Sequence, residues 1–345
     1  MSNLERDPDE IGMTSRATAH DTGATVTGAP AIEILEPREV PLGGPRAMTV
    51  RRTLPQRKRS LIGAWCFLDH YGPDDVEATG GMRVPGHPHT GLATVTWLFE
   101  GEVEHRDTVG TVRLIRPGEV NLMTSGAGIA HSEYSTPATT RMHGAQLWLA
   151  LPDAERRGPR RFENYTAPQV EIPGGRLRVF IGSLEGQESP VTTFSPLLGA
   201  EIAVGPGAEI ALEIASGFEH GVLVDTGSVQ ILASGGRPGS AVDATAAQLV
   251  YIPVGSDTLR LRGGPDGTRV LLIGGTPFGE SIVMWWNFIG RDHDEIVADR
   301  AAWQRRVERL GAGERDDDDF GDFPDVWSQV LPAPELPTVR LRPRV

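Results

Sequence analysis

Residues 84–133 read VPGHPHTGLATVTWLFEGEVEHRDTVGTVRLIRPGEVNLMTSGAGIAHSE, and this stretch decides the fold. Short runs rich in β-branched and aromatic residues, such as LATVTWLF and TVRLI, alternate with glycine-containing turns. Closely spaced strands of this kind predict a β-meander, which is typical of a barrel or a sandwich. Runs of the same kind, such as GVLVDTGSVQILAS and TRVLLIGG, return in the second half. The sequence therefore predicts an all-β chain with two barrel-sized halves.

The same stretch contains two pairs of polar residues that are each separated by one position. His87 and His89 form the first pair, and His131 and Glu133 form the second. Residues i and i+2 of an extended chain project to the same face, so each pair can point into one barrel. Three imidazoles and one carboxylate suit Fe(II), Mn, Co, Ni, Cu or Zn. The alternative interpretation is a pair of surface-turn histidines beside an unrelated HSE triplet.

Composition limits the functions that the chain can have. It has 345 residues and a formal net charge of −13, which argues against a large surface for nucleic acid. Cys66 is the single cysteine, so no disulfide within the chain is possible. The first residues, MSNLERDPDE, lack the pattern of a secretory signal, and no apolar run is long enough to span a bilayer. We expect a cytoplasmic protein that binds neither membrane nor nucleic acid directly.

Changes in composition along the chain predict its organisation. We expect a disordered N-terminal arm over residues 1–30, a metal-binding barrel over 31–165, a metal-free barrel over 166–290, a C-terminal helix over 291–311 and an acidic, mobile tail over 312–345. The basic run RRTLPQRKRS (residues 51–60) is interpreted as a solvated loop rather than a nucleic-acid patch.

The motifs HPHTG, EGEVEHRD and PGEVNLMTSGAGIAHSE occur in the order found in the pirin family of the cupin superfamily. The likeness extends through WCFLDHYGP and GGTPFGESIVMWWNF and covers residues 40–310. The resemblance implies a bicupin, in which two β-barrels pack face to face and the N-terminal barrel holds iron. Carried over by motif, the ligands are His87, His89, His131 and Glu133. In the general cupin pattern a glutamate follows HxH after three or four intervening residues, but Ala93 and Thr94 stand at those positions.

Other side chains are candidates for the surroundings of the metal. His105 lies in the EVEHRD strand and could support a ligand from behind or be an ordinary strand histidine, and His143 could line the barrel mouth. Met123, Trp97 and Phe99 are candidate apolar walls, although for any one of them a place in the barrel core is the favoured interpretation. The remaining core histidines receive structural interpretations: His70 is expected in a turn, and His220 has no HxH partner in the second barrel.

Two functions are compatible with this site. The first is an Fe(II)-dependent dioxygenase of the quercetin 2,3-dioxygenase type, which acts with O2 on a flavonol or a similar enol or phenol. In that case Glu133 is both a ligand and the catalytic acid/base group. The second is a non-enzymatic, redox-responsive iron protein that regulates transcription or a metabolic enzyme through a protein partner. A cupin with a purely structural metal is a third interpretation.

Overall fold

The structure is a computed structural model that describes residues 11–14, 32–42, 48–233, 241–311, 313, 319–322 and 329–343. The elements of the N-terminal half are, in chain order, β1 (Ile11–Thr14), β2 (Glu33–Leu35), β3 (Arg38–Leu42), β4 (Met48–Leu54), β5 (Trp65–Asp75), α1 (Val76–Thr79), β6 (Arg83–His89), β7 (Leu92–Glu100), β8 (Val103–Asp107), β9 (Val112–Ile115), β10 (Glu119–Thr124), β11 (Ile129–Ser135), β12 (Arg141–Ala150) and β13 (Arg161–Thr166).

The C-terminal half continues with more strands and a long helix. These are β14 (Val170–Ile172), β15 (Gly175–Ile181), β16 (Ser183–Leu184), β17 (Gln187–Glu188), β18 (Leu197–Val204), β19 (Glu209–Glu213), β20 (Glu219–Ala233), β21 (Val242–Thr245), β22 (Leu249–Ile252), β23 (Thr258–Gly275), β24 (Ser281–Trp285), β25 (Phe288–Gly290) and α2 (His293–Gly311).

Two sheets enclose the N-terminal barrel. A seven-stranded sheet has the order β13-β10-β7-β12-β5-β4-β3, and a four-stranded sheet has the order β6-β11-β8-β9. The second barrel is built on a nine-stranded sheet of order β14-β15-β18-β23-β20-β22-β2, with β19 beside β23 and β21 beside β20. The predicted all-β architecture with two barrels and a C-terminal helix is thus confirmed. One expected boundary needs correction, because β2 pairs with β22 of the second barrel although it precedes the first.

A shared hydrophobic core joins the two barrels. Residues directly opposite each other on paired strands share a face, and Trp97 on β7 lies opposite Val120 and Ala145. All three belong to one buried cluster that also includes Leu271 and Ile273 of the second barrel. Burial of each large apolar side chain in such a cluster contributes roughly 1.5–3 kcal/mol. The outer face of the seven-stranded sheet therefore packs on the second barrel, and its other face lines the interior of the first.

A tight turn at the end of the HPHTG motif separates β6 from β7. Gly91 has φ +70°, and a Cβ atom there would collide with the carbonyl oxygen of Ile289. Only glycine combines this left-handed backbone with so close an approach of another chain segment. The glycine of HPHTG therefore has a structural cause: it lets the chain reverse beside β25.

The two ends of the chain correct the expected arm and tail. Residues 11–14, inside the predicted disordered arm, form β1 and pair with β24; the rest of 1–30 lies outside the described residues. Within the predicted mobile tail, the described residues 319–322 and 329–343 contain buried Phe320 and Leu341. Their side chains pack with Trp303 of α2 in one hydrophobic cluster, because a helix with an exposed apolar stripe needs a cover. The acidic run at 314–318 lies outside the described residues.

The basic run at 51–60 is also more ordered than expected. Arg52 lies on β4, is 2% exposed, and donates Nε and Nη2 hydrogen bonds to the two carboxylate oxygens of Asp69 at 2.7 and 2.9 Å. Arg59 is likewise buried and stacks on the ring of Tyr251 with its Cζ atom 3.3 Å from the ring centroid. These arginines are part of the interior rather than of a solvated loop.

No helix in the described part of the chain combines the length and the apolar character that a bilayer crossing requires.

His220 of β20 is buried in the second barrel, and both of its ring nitrogens lack a hydrogen-bond partner among the described residues. Burial lowers the pKa of His220 to about 4. As the pH falls, the imidazole of His220 is therefore protonated near pH 6.5 in the unfolded chain but only at lower pH in the folded chain. This histidine makes the folded state progressively less stable as the pH falls from 6.5 to 4.

We predict that His220→Leu flattens the pH dependence of stability. Between pH 6.5 and 4 the free energy of unfolding of the parent chain should fall relative to that of the variant by about 1.4 kcal/mol per pH unit. The measurement is urea unfolding of both proteins at pH 7, 6, 5 and 4. Parallel pH profiles would contradict the assignment of a neutral, desolvated imidazole.

Candidate metal site and relationship to known proteins

The register between β6 and β11 brings the two sequence pairs together. His131 lies directly opposite His87, and Ile129 lies opposite His89. A bulge between His131 and Glu133 then shifts the register, so that Glu133 lies opposite Val84. Since opposite residues share a face and side chains alternate along a strand, all four predicted ligands point into the first barrel.

The three imidazoles converge on one point in the barrel. The ring centroids of His87, His89 and His131 lie 4.3–5.0 Å apart, and all three side chains are fully buried. Nε2 of His89 is 3.1 Å from Nε2 of His131. The three residues each offer a ligand nitrogen within 4.8 Å of the others. This spacing matches the separation of neighbouring ligands around one ion.

A hydrogen bond to the backbone fixes the tautomer of His87. Its Nδ1 lies 2.8 Å from the carbonyl oxygen of Pro85, which can only accept, so the proton is on Nδ1. Nε2 then carries a lone pair, is buried, and has no partner among the described residues. A buried acceptor of this kind needs a cation or a donor to offset its desolvation.

Burial also keeps the cluster neutral. It lowers the pKa of His87 to about 3 and is the largest cause that lowers the pKa of His89 and of His131 well below the ordinary value. The neighbouring imidazole of His87 lowers the latter two pKa values further. Neutral imidazole is the form that binds metals, so no proton has to be removed at neutral pH.

Glu133 contributes the only carboxylate of the four predicted ligands. It is fully buried and lies with His131 and His105 in a second group whose ligand atoms are within 4.8 Å of one another. The hydroxyl of Thr96 on β7 lies 3.3 Å from Glu133 Oε1 and 2.9 Å from Gln146 Oε1. Thr96, on the opposite sheet, thus contacts this carboxylate through Oε1.

These four residues therefore fit a divalent metal ion. The donor set is three neutral nitrogens and one oxygen, and its carboxylate supplies negative charge in a buried site. Cys66 cannot add a thiolate, because its buried side chain donates to the Trp148 carbonyl and burial raises the pKa of its thiol. The donor set suits Fe, Mn, Co, Ni, Cu or Zn and does not distinguish among them.

The predicted wall residues separate into two groups. Met123 lies opposite Thr94, which shares a face with Thr96, so Met123 points into the barrel. Trp97 points the other way: its ring stacks on Phe180 at 4.5 Å, and its Nε1 donates to Glu201 at 2.7 Å. The expected wall role of Trp97 is thus corrected, because its strand position directs it toward the second barrel.

Phe99 and His143 also face the second barrel rather than the metal. Phe99 lies with its ring centroid 4.9 Å from that of His143, and Arg269 Cζ stacks 4.2 Å from the Phe99 ring centroid. Phe99 and Arg269 help to line a cavity of about 230 Å³ between the barrels. His143 lies two positions before Ala145 on β12 and therefore shares its face, which packs on the second barrel.

Sequence reasoning missed a buried cluster around Asp225. Its Oδ1 lies 2.7 Å from Nε2 of His70 and 2.6 Å from Nε2 of His143, and Arg269 Nε donates to Oδ2 at 2.6 Å. Although burial opposes ionisation, the hydrogen bonds from His143 and His70 hold the pKa of Asp225 well below its usual range. His70 is therefore a strand residue at the junction of the barrels, not the expected turn residue.

This junction resembles a metal site in composition only. The nitrogen–oxygen distances are those of hydrogen bonds, and the carboxylate charge is already offset by the Arg269 guanidinium. A divalent ion here would add positive charge beside an arginine. Removal of the Asp225 carboxylate would cost about 3–5 kcal/mol, the range for breaking a buried ion pair.

The C-terminal segment covers the strand that carries two ligands. β6 is the edge of its sheet, and Val330 forms a parallel bridge with Gly86 through a 2.7 Å hydrogen bond from Leu331 N to Gly86 O. On the other side of His89, the hydroxyl of Thr90 donates to Asp299 of α2 at 2.7 Å. The His87–His89 segment is thus fixed from both directions.

Comparison with known proteins agrees with this architecture. The Pirin family model matches residues 47–149, and the model of the Pirin C-terminal cupin domain matches residues 199–308. A Pseudomonas aeruginosa protein provisionally named quercetin 2,3-dioxygenase is 43% identical over 275 residues, which are 79% of this chain and 84% of that protein. A pirin-like protein from Caulobacter vibrioides is 34% identical over 296 residues, 83% of this chain and 94% of that protein.

A solved structure shows the same fold over nearly the whole chain. The crystal structure of a quercetin 2,3-dioxygenase from Acinetobacter baumannii matches with a TM-score of 0.80 and 36% identity, over 90% of this chain and 98% of that one. Two cupin barrels in one chain, with a histidine cluster in the first, define a bicupin. Within that class, the chain belongs to the pirin family.

We predict that His89→Ala removes nearly all bound metal while both barrels stay folded. The variant loses one nitrogen of the cluster but leaves the inter-barrel core untouched. Metal content is measured by plasma mass spectrometry after incubation with excess metal and desalting, and folding by circular dichroism. His143→Ala is the matched control, since it removes a buried histidine of the same barrel that faces away from the cluster. Stoichiometric metal in His89→Ala would show that the ligands are misassigned.

Proposed function

We propose that this chain is a metal-dependent dioxygenase of the quercetin 2,3-dioxygenase type, with a flavonol or a similar enol or phenol and O2 as substrates. The observation that carries the proposal is the convergence of the buried, neutral histidines His87, His89 and His131 inside the first barrel, with Glu133 beside His131. The names of the Pseudomonas relative and of the Acinetobacter structure support the reaction class.

We infer that His87, His89, His131 and Glu133 hold one ion, with Fe(II) as the metal we favour. An ion held there would supply a Lewis acid for the deprotonated hydroxyl of the substrate. The four residues leave part of the ion's surroundings to non-protein ligands, because they all project from β6 and β11 of one sheet. The substrate then approaches from the side of the seven-stranded sheet.

Glu133 is positioned to take up the hydroxyl proton of the arriving substrate. Thr96 lies between Glu133 and Gln146 and has a single hydroxyl hydrogen to share between their oxygens. While Glu133 is ionised, this hydrogen stabilises its carboxylate. When Glu133 accepts the proton, the Thr96 hydroxyl can turn to Gln146 Oε1, so that no buried acceptor loses its donor.

The barrel interior offers a planar aromatic surface beside the histidines. Trp148 lies opposite Thr94 on the interior face, with its ring centroid 5.3 Å from that of His89. Phe67 stacks on Trp148 at 4.1 Å, and Met123 projects from the same sheet. Aromatic rings and a flexible thioether favour a flat, apolar substrate over a small polar one.

The proposal predicts oxygen consumption that depends on both metal and flavonol. The full chain is loaded with Fe(II) under anaerobic conditions, mixed with quercetin and exposed to O2, while an oxygen electrode and mass spectrometry follow uptake and ring opening. Glu133→Gln should lower the rate by about 100-fold or more, the lower range for loss of a general acid/base group. Fully loaded protein that consumes no O2 with quercetin would contradict the enzymatic proposal for this substrate and favour the regulatory alternative.

A further inference from the structure

A third strand of the small sheet lies beside the ligand strand β11. On β8, His105 lies opposite Glu133, and Asp107 lies opposite His131. Because opposite residues share a face, both side chains point to the same side as the metal cluster. Both are buried, with 2% exposure for His105 and none for Asp107. Two further buried polar side chains, His105 and Asp107, thus lie beside the ligand strand.

Their contacts form one continuous chain that ends on the backbone. Nδ1 of His131 lies 3.4 Å from Nδ1 of His105, and Nε2 of His105 lies 3.0 Å from Oδ2 of Asp107. The other oxygen of Asp107 accepts hydrogen bonds from the backbone N–H groups of Val109 and Thr111 at 2.9 and 3.0 Å. The β8–β9 turn thus holds the carboxylate in place.

The chemistry of each group gives the chain a direction. A carboxylate can only accept, so His105 carries its proton on Nε2 and presents a lone pair at Nδ1. That lone pair requires a donor, so His131 carries its proton on Nδ1. Nε2 of His131 is then unprotonated on the side where Nε2 of His89 lies 3.1 Å away.

We propose that Asp107 and His105 are positioning residues that set the tautomer of His131, and this inference rests on the proposed metal site. His87 obtains the same tautomer directly from the Pro85 carbonyl, whereas His131 obtains it through His105. The carboxylate also makes Nε2 of His131 more basic and therefore a stronger ligand for a metal ion. Carboxylate–histidine pairs have this effect behind other metal ligands. The ring of Phe162 packs against His105, with the two ring centroids 4.7 Å apart.

The direct test is Asp107→Asn in the full chain. The asparagine oxygen can still accept from Val109 and Thr111, but its NH2 group then faces His105 Nε2 and reverses the relay. His105 would donate from Nδ1, and His131 would have to place its proton on Nε2, where it blocks the metal. We expect the affinity for Co(II), followed by its visible absorption, to fall by about 10–100-fold.

A tautomer measurement distinguishes positioning from loss of structure. Long-range 1H–15N spectra of the chelator-treated, histidine-labelled protein should show His131 protonated on Nδ1 in the parent chain and on Nε2 in Asp107→Asn. Asp225→Asn is the matched control: it changes an equally buried carboxylate that holds two histidines, yet it should leave Co(II) affinity and the His131 signals unchanged.

His105→Phe provides a second variant in case Asp107→Asn does not fold. It leaves the Asp107 contacts to the turn intact but removes the acceptor, so the His131 signals should move to the average of both tautomers and Co(II) affinity should again fall. Unchanged His131 signals in either folded variant would overturn the proposal. Failure of the parent chain to bind Co(II) would instead count against the proposed function, since the tautomers are read without metal.

Discussion

The antiparallel register between β6 and β11 is the constraint on which the site depends. It sets His131 opposite His87, so that imidazoles forty-four positions apart in the chain meet in a dry interior. Burial lowers the pKa values of these imidazoles, so that they are neutral at neutral pH, and the Pro85 carbonyl fixes the proton of His87 on Nδ1. The buried lone pair on Nε2 of His87 is then unfavourable unless a cation or a donor lies against it.

The rest of the molecule holds that register in place. β6 is an edge strand, and edge strands slip or recruit foreign partners unless they are covered. Here the cover is the C-terminal segment at Val330, and α2 fixes the following Thr90 through Asp299. The seven-stranded sheet has a double role: its inner face supplies Thr96 and Trp148 to the site, and its outer face packs on the second barrel.

Local spacing predicted from the sequence that the four candidate ligands would point into one barrel. Both side chains of an i, i+2 pair on an extended chain project to the same face. When two such pairs lie on neighbouring strands of a meander, their side chains can meet on that face. The same spacing could not place His143, because alternation along β12 does not say which of its two faces packs on the second barrel. It also could not find Asp225, which reaches His70 from a strand 155 positions away, or foresee that Phe320 and Leu341 would be buried against the helix. Long-range pairing and bulges leave no periodic signal.

The most direct test of the central claim is a crystal structure of the full chain grown with Zn(II), with anomalous data at the zinc edge. We expect one strong peak at about 2.0–2.2 Å from Nε2 of His87, His89 and His131 and from a carboxylate oxygen of Glu133. A peak between His70, His143 and Asp225, or a zinc ion bound without Glu133, would contradict it.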